Sequence, residues 1–364
     1  MRIAFFGSSL VSSYWNGAAS YYRGLLRALA TLGNEITFYE PDAFERQRHR
    51  DISDPDWARV VVYPATADGW RLAVERAIRG ADLIAKASGV GVFDAELECA
   101  IPDAAGPRIT TVYWDVDAPA TLECMAADEH HHLRRVIPRY DMVLTYGGGD
   151  PVVRRYGEFG ARICVPIYNA LDPQSYHSVP GRPDYQCDLS FLGNRLPDRE
   201  ARVEEFFIKP AQSLSDKTFL LGGAGWDTKQ LPPNIRIAGH VGSASHNAFY
   251  CSGLATLNIN RDSMARFGFS PPTRIFEAAG AGACIITDLW DGIELFLEPG
   301  AEVLLASDGE SVAEIIMRLS IAEARRIGRA ARSRILAEHT YDHRALQVIA
   351  VLDGGAIATT EAAE

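Results

Sequence analysis

The sequence predicts an α/β protein built as two parallel-sheet domains in tandem, and three observations carry that prediction. Short apolar, strand-like runs alternate with helical patterns from end to end, as a parallel sheet covered on both faces requires. The chain has 364 residues, enough for two domains of ordinary size, each with its own core. A proline-rich stretch without apolar periodicity, Tyr168 to Gln186, interrupts the alternation near the middle.

Arg2–Phe6 reads as a first buried strand ending at Gly7. The polar loop GSSLVSSYWNG leads into a helix with Tyr22, Leu25, Leu26 and Leu29 on one face, stopped at Gly33, and Glu35–Tyr39 is the next strand. This unit has the form of a nucleotide-binding half-domain, although its loop is not GxGxxG. Further strands are expected at Asp82–Ala87, Ile109–Tyr113, Met142–Tyr146 and Arg162–Pro166. A second series follows at Asp188–Leu192, Phe219–Leu221, Ile235–Ala238, Ala255–Ile259, Ala283–Thr287 and Val303–Leu305. Amphipathic helices at about 311–338 and 343–352 close the chain, and the tail GGAIATTEAAE is expected to fray. The domains are therefore expected at 1–170 and 187–339, with a linker at 171–186 and a helix at about 340–352 that is a candidate to pack back onto the first domain. Two Rossmann-like domains of this kind leave a cleft between facing strand ends, where such folds bind ligands.

Composition excludes several function classes. Residues are 47% hydrophobic and 23% charged, and the net charge is −11, which argues against nucleic acid or an anionic membrane as the main partner. Six scattered cysteines form no CxxC pair or metal spacing and fit a reducing compartment. No window approaches the ~20 apolar residues of a membrane span, and MRIAFFGSS is too short for a signal peptide. The expectation is a cytoplasmic protein.

The richest segment is SPPTRIFEAAGAGACIITD, Ser270 to Asp288. It reads as a helix capped by Ser270, entered through Pro271, left through Gly280 and Gly282, and followed by a strand. A helix opening beside the carboxyl end of a parallel strand offers free N–H groups to a diphosphate. The prolines donate none, so the first free amides belong to Thr273 and Arg274. Glu277 is the one carboxylate in this small, apolar helix. FLGNRLPDR places Arg195 and Arg199 just past another strand, where guanidinium forks suit phosphate oxygens; the alternative is a solvated helix start, where the dipole disfavours cations. Asp115 and Asp117, in TVYWDVDAP, follow a strand of the first domain and are candidates for a general base or sugar-orienting role, or else turn formers before Pro119. His130 to His132, in EHHHLRR, are consecutive on an expected helix, point in three directions and make a poor chelate.

From about Asp188 to Leu305 the chain resembles the C-terminal domain of GT-B glycosyltransferases, and most nearly the CgeB-like, family 4-like group. The resemblance rests on YQCDLSFLGNRLPDREARVEEFF, IRIAGHVG, FYCSGLATLNINR and TRIFEAAGAGACIITDLWDGIELFLEPGAEVLLASDGESV, in that order, and more loosely on NGAASYYRGLLRALATLGNEITFYEP. It implies GT-B architecture, two Rossmann-like domains with parallel sheets facing across a cleft. The implied activity is metal-independent transfer of a sugar from a UDP-, GDP- or dTDP-sugar to an acceptor, with no further cofactor. It assigns Glu277 to the donor ribose, Thr273, Arg274, Arg195 and Arg199 to the diphosphate, and Gly239, His240 and Val241 to the base. Gly7, Asn16 and Gly17 fall in the loop on the acceptor side. The chain departs from the family 4 pattern at Phe269, where a second glutamate stands eight positions before Glu277. Two alternatives stay open on this reading: a nucleotide-sugar epimerase on the same fold, and a catalytically silent nucleotide-sugar-binding protein.

Overall fold

A computed structural model describes residues 1–14 and 16–354. The expected frayed tail from Gly355 onward lies outside the described residues. The chain divides into two compact units, one of Met1–Tyr168 with the segment that begins at Tyr341, the other of Asn169–Thr340.

The first unit runs β1 (Arg2–Phe6), α1 (Ala19–Thr31), β2 (Glu35–Asp42), β3 (Ala58–Pro64), α2 (Ala67–Gly80), β4 (Leu83–Ala87), α3 (Asp94–Ala104), β5 (Thr110–Asp115), α4 (Ala118–Ala127), α5 (Leu133–Val136), β6 (Met142–Thr145), α6 (Gly149–Glu158) and β7 (Cys164–Pro166). Its seven strands form one parallel sheet in the order β3-β2-β1-β4-β5-β6-β7. Strand β3 was not anticipated. ARVVVYP alternates too weakly in burial to show a one-sided pattern, because it is an edge strand paired on β2 alone.

The apolar stripe of α1 is buried as its spacing predicts, with Tyr22, Leu25, Leu26 and Leu29 each about 1% exposed. Phe5 on β1 is the hub of that layer, 5.3 Å from the Tyr22 ring and 5.5 Å from Phe38. Helix α14 (Tyr341–Leu352) lies on α1, where a Cβ at Gly24 would come within 2.1 Å of the Tyr341 ring. Tyr21, beside it, donates its hydroxyl to the Ile167 carbonyl at 2.8 Å and accepts from the Trp114 indole at 3.0 Å.

The second unit runs β8 (Cys187–Leu192), α7 (Pro197–Val203), a π-turn to α8 (Lys209–Ser213), β9 (Phe219–Gly222), β10 (Ile235–Gly239), α9 (Ser243–Ser252), β11 (Gly253–Asn258), α10 (Asp262–Phe267), α11 (Thr273–Ala281), β12 (Ile285–Asp288), β13 (Leu304–Ala306), α12 (Gly309–Arg318) and α13 (Ile321–Glu338). Six parallel strands lie in the order β10-β9-β8-β11-β12-β13. Phe207 packs between Phe191 of β8 and Phe219 of β9 at 6.1 and 5.5 Å.

Three local expectations shift. Helix α11 starts at Thr273, with Pro272 as an extended N-cap, so Ser270 does not cap it. Its stop is as read, with Gly282 in the left-handed region at φ +84°. The single helix expected over 311–338 is broken at Leu319–Ser320, because Ser320 accepts from the Glu323 amide at 3.2 Å and starts a new helix. Residues 171–186 are built onto the second unit: the Leu171 amide bonds the His339 carbonyl at 2.8 Å, the Arg182 amide bonds the Ser252 hydroxyl at 2.8 Å, and Tyr185 packs on Phe249 at 5.4 Å.

Candidate active site

In a parallel sheet the carboxyl ends of the strands carry the ligand loops, and in the second unit these loops are stitched together backbone to backbone. After β8, the Gly193 amide donates to the Gly222 carbonyl at 2.9 Å and the Arg195 amide to Ala224 at 3.0 Å. The Gly193 carbonyl accepts from the Trp226 indole at 2.8 Å, and Asn194 Oδ1 accepts from the Ala224 amide at 3.0 Å. Gly223, at φ +121°, has no room for a side chain, since a Cβ would sit 2.2 Å from the Gly193 carbonyl oxygen.

Two guanidinium groups converge on the open face of Gly193. A Cβ there would stand 2.9 Å from Arg199 Nη1 and 3.3 Å from Arg274 Nη2. Arg274, the second residue of α11, is pinned from three sides. Its Nε donates to the Leu192 carbonyl at 2.9 Å, its Nη1 to Asn258 Oδ1 at 2.8 Å, and its guanidinium lies 5.1 Å from the Phe191 ring centroid.

Arg195 does not join this pair. It makes a bidentate bond to Glu200, at 2.8 and 3.0 Å, and a third bond to the Thr228 hydroxyl at 3.1 Å. Arg195, with Lys229 beside it, holds the Glu200 carboxyl at about 2, far below its usual range. Of the two arginines expected together after β8, Arg199 faces Gly193 while Arg195 is neutralised by a carboxylate one residue beyond its partner.

Glu277 stands one helical turn after Thr273, half-buried. Its Oε2 accepts from the Tyr250 hydroxyl at 3.4 Å, and Oε1 has no hydrogen-bond partner among the described residues. Tyr250, on α9, was not anticipated. Burial, then the Glu277 charge, push its phenol well above its ordinary value, and it faces Arg274 as well. A single tyrosine in HNAFYCS carries no signal of such a role; only the fold brings α9 beside α11.

The loop expected to hold a base is also assembled. The Gly239 carbonyl accepts from the Gly223 amide at 2.7 Å, and Gly239 itself has φ +67°. His240 is exposed, whereas Val241 is buried and its carbonyl is bonded by His246 at 3.1 Å. Phe269 occupies the position of the missing family glutamate at φ +48°, a costly conformation for an aromatic residue. Its amide donates to the Asp291 carbonyl at 2.6 Å, and its ring fills the space a Cβ on Gly292 would need.

The first unit places its candidates differently from expectation. Asp115, at the end of β5, is fully buried rather than open to a cleft. Its Oδ1 accepts from the Ser88 hydroxyl at 2.7 Å, the Asp117 amide at 2.9 Å and the Thr121 hydroxyl at 3.1 Å, and its Oδ2 accepts from the Tyr156 hydroxyl. It braces the strand-to-helix turn, and burial pushes its carboxyl above the ordinary value. Asp117 is half-buried at the N-terminus of α4. Asn16 is a loop brace, accepting from the Ser8 hydroxyl at 2.8 Å and donating to the Ser9 and Ser12 carbonyls at 2.8 and 2.9 Å. Gly7 is needed for packing, with a Cβ 2.5 Å from the Phe38 ring, while Gly17 is exposed with open space around it. His132 bonds Glu98, which with Asp94 surrounds the buried Lys86 amine at 3.2 and 2.7 Å.

Residues 199–350 match the model of the glycosyl transferase-like family. No curated protein sequence matches the chain. Among solved structures, the sucrose-phosphate synthase of Thermosynechococcus elongatus superposes with TM-score 0.71 at 14% identity, covering 97% of this chain and 98% of that one. Anabaena HepE, solved in complex with UDP-glucose, superposes with TM-score 0.65 at 16% identity, covering 97% and 100%. An α-glucosyltransferase, solved with UDP-glucose and DNA, does so with TM-score 0.71 at 13% identity, covering 97% and 99%. Among the described residues, no helix is long and apolar enough to cross a membrane. The chain thus has the GT-B fold of these glycosyltransferases, and residues 199–350 carry the glycosyl transferase-like signature.

Proposed function

We propose that this protein transfers a sugar from a nucleotide-diphosphate sugar, with UDP as the nucleotide, to an acceptor. The observation that carries the reading is the convergence of Arg199 and Arg274 on the open face of Gly193 at the start of α11. When the sugar leaves, negative charge grows on the departing diphosphate. Guanidinium groups already fixed at that spot stabilise the charge without reorganising, and take the place of a metal ion. The amides of Thr273 and Arg274 add the positive end of the helix dipole. Glu277 accepts from the ribose hydroxyls through the oxygen that Tyr250 leaves unused, and the backbone at Gly239–His240 meets the base. UDP is preferred because two of the structural neighbours above were solved with UDP-glucose.

Asp115 is excluded from chemistry on this reading, since its oxygens are occupied inside the fold. The acceptor is assigned to the first unit, at its loop around Gly17. The test is calorimetric titration with UDP in the presence of a chelator. Binding is expected without metal, and Arg199→Gln and Glu277→Gln are each expected to weaken it about tenfold to hundredfold, as loss of a charge-assisted bond does. Inorganic diphosphate, lacking ribose, should distinguish only the arginine variant. Binding that needs Mg²⁺, or that neither variant alters, overturns the assignment.

A further inference from the structure

The far end of α11 carries a second cationic feature that the proposed transfer does not use. Helix α13 has five arginines (Arg325, Arg326, Arg329, Arg332 and Arg334) against two glutamates, in a chain whose net charge is −11. Arg334 is paired with Glu338 at 2.9 Å. Arg329 is exposed and has no ion-pair partner among the described residues. It lines a cavity of about 710 Å³ together with Arg332, Ser333 and Leu336, opposite Ser178 and Gly282.

The packing explains why the cavity exists. Gly328 lets α13 approach so closely that a Cβ there would lie 2.2 Å from the Gly282 carbonyl oxygen. That approach brings Arg332 Nε to the Gly280 carbonyl at 3.2 Å, and Ser178 bonds the Ala281 carbonyl at 2.7 Å. The last turn of α11 is thereby satisfied, so its carbonyls do not leave bare negative charge in the cavity. The terminal nitrogens of Arg332 have no partner among the described residues. Positions 329, 332, 333 and 336 share one helix face, with neighbouring Cβ atoms about 5–6 Å apart. Two guanidinium forks at that spacing close on a single tetrahedral anion. Leu336 adds an apolar wall, which suits a ligand with a carbon body.

We propose that this cavity binds a phosphate monoester of a small organic molecule. The site is separate from the one at Gly193: the two lie at opposite ends of α11, whose nine residues span about 13.5 Å. The test is amide hydrogen exchange with glycerol 3-phosphate as the probe and sodium chloride at equal ionic strength as the control. Exchange over 325–337 is expected to slow with the phosphate ester and not with chloride. Arg329→Gln, an exposed substitution that removes no packing, is expected to raise the half-effect concentration about tenfold. Arg199→Gln should leave the effect unchanged. Absence of slowing, equal slowing with chloride, insensitivity to Arg329→Gln or loss in Arg199→Gln would each overturn the proposal.

Discussion

At the scale of single residues, Asp115 and Glu277 show what a sequence reveals about a carboxylate and what it hides. Both were legible as charges beside a strand end or in a small, apolar helix. Whether each faces solvent or protein depends on residues far away in the chain, such as Tyr156 for Asp115 and Tyr250 for Glu277. Asp115→Asn is expected to cost only about 1 kcal/mol, because its oxygen keeps the three donors on Oδ1 while the new amide donates to Tyr156. Asp115→Ala leaves the buried Ser88 and Tyr156 hydroxyls and the Asp117 amide without their acceptor and should cost about 3 kcal/mol. Chemical denaturation of the three proteins checks this. The pH dependence follows from the same burial. The folded carboxyl holds its proton more tightly than the unfolded one, whose ordinary value is 3.8. Its contribution to stability is therefore full below that value and is lost as pH rises through the higher folded value. Wild type should lose stability relative to Asp115→Asn over the acid range above 3.8, and parallel curves would refute this account.

At the scale of elements, parallel strands and amphipathic helices were legible because burial on both faces or on one stripe writes its period into the sequence. The edge strand β3 and the break before Ser320 were not, since one lacks a clean period and the other depends on a single cap. Close helix contacts were equally hidden, because glycine inside a helix looks like a weakness until its neighbour is known. Gly→Ala within a helix ordinarily stabilises by about 1 kcal/mol. Gly328→Ala in α13 should instead destabilise by about 2 kcal/mol or more, because the new methyl meets the Gly282 carbonyl rather than a movable side chain. Gly24→Ala in α1 should do the same by displacing the Tyr341 ring. Thermal unfolding of both variants decides the matter, and a raised midpoint in either would contradict the packing described.

At the scale of the whole molecule, the two-part alternation was visible in the order of elements, and the sequence also offered the helix at about 340–352 as a candidate to pack back onto the first domain. The exact point of return was not visible, because no break in composition marks it. The first unit is left at Tyr168 and rejoined at Tyr341, so the second unit is an insertion within it. Removing residues 341–364 should expose the α1 face around Gly24 and make the first unit the preferred target of limited proteolysis. The second unit should stay resistant, since it contributes no strand to the seven-stranded sheet. Equal sensitivity of both units would argue that they unfold together. The same path has a consequence for biosynthesis. The ribosome makes the first sheet early, but α14, which covers α1, emerges only after the entire second unit has been translated. The N-terminal unit must therefore wait, incompletely covered, until α14 has been made, and it matures after the second unit although its sheet is synthesised first.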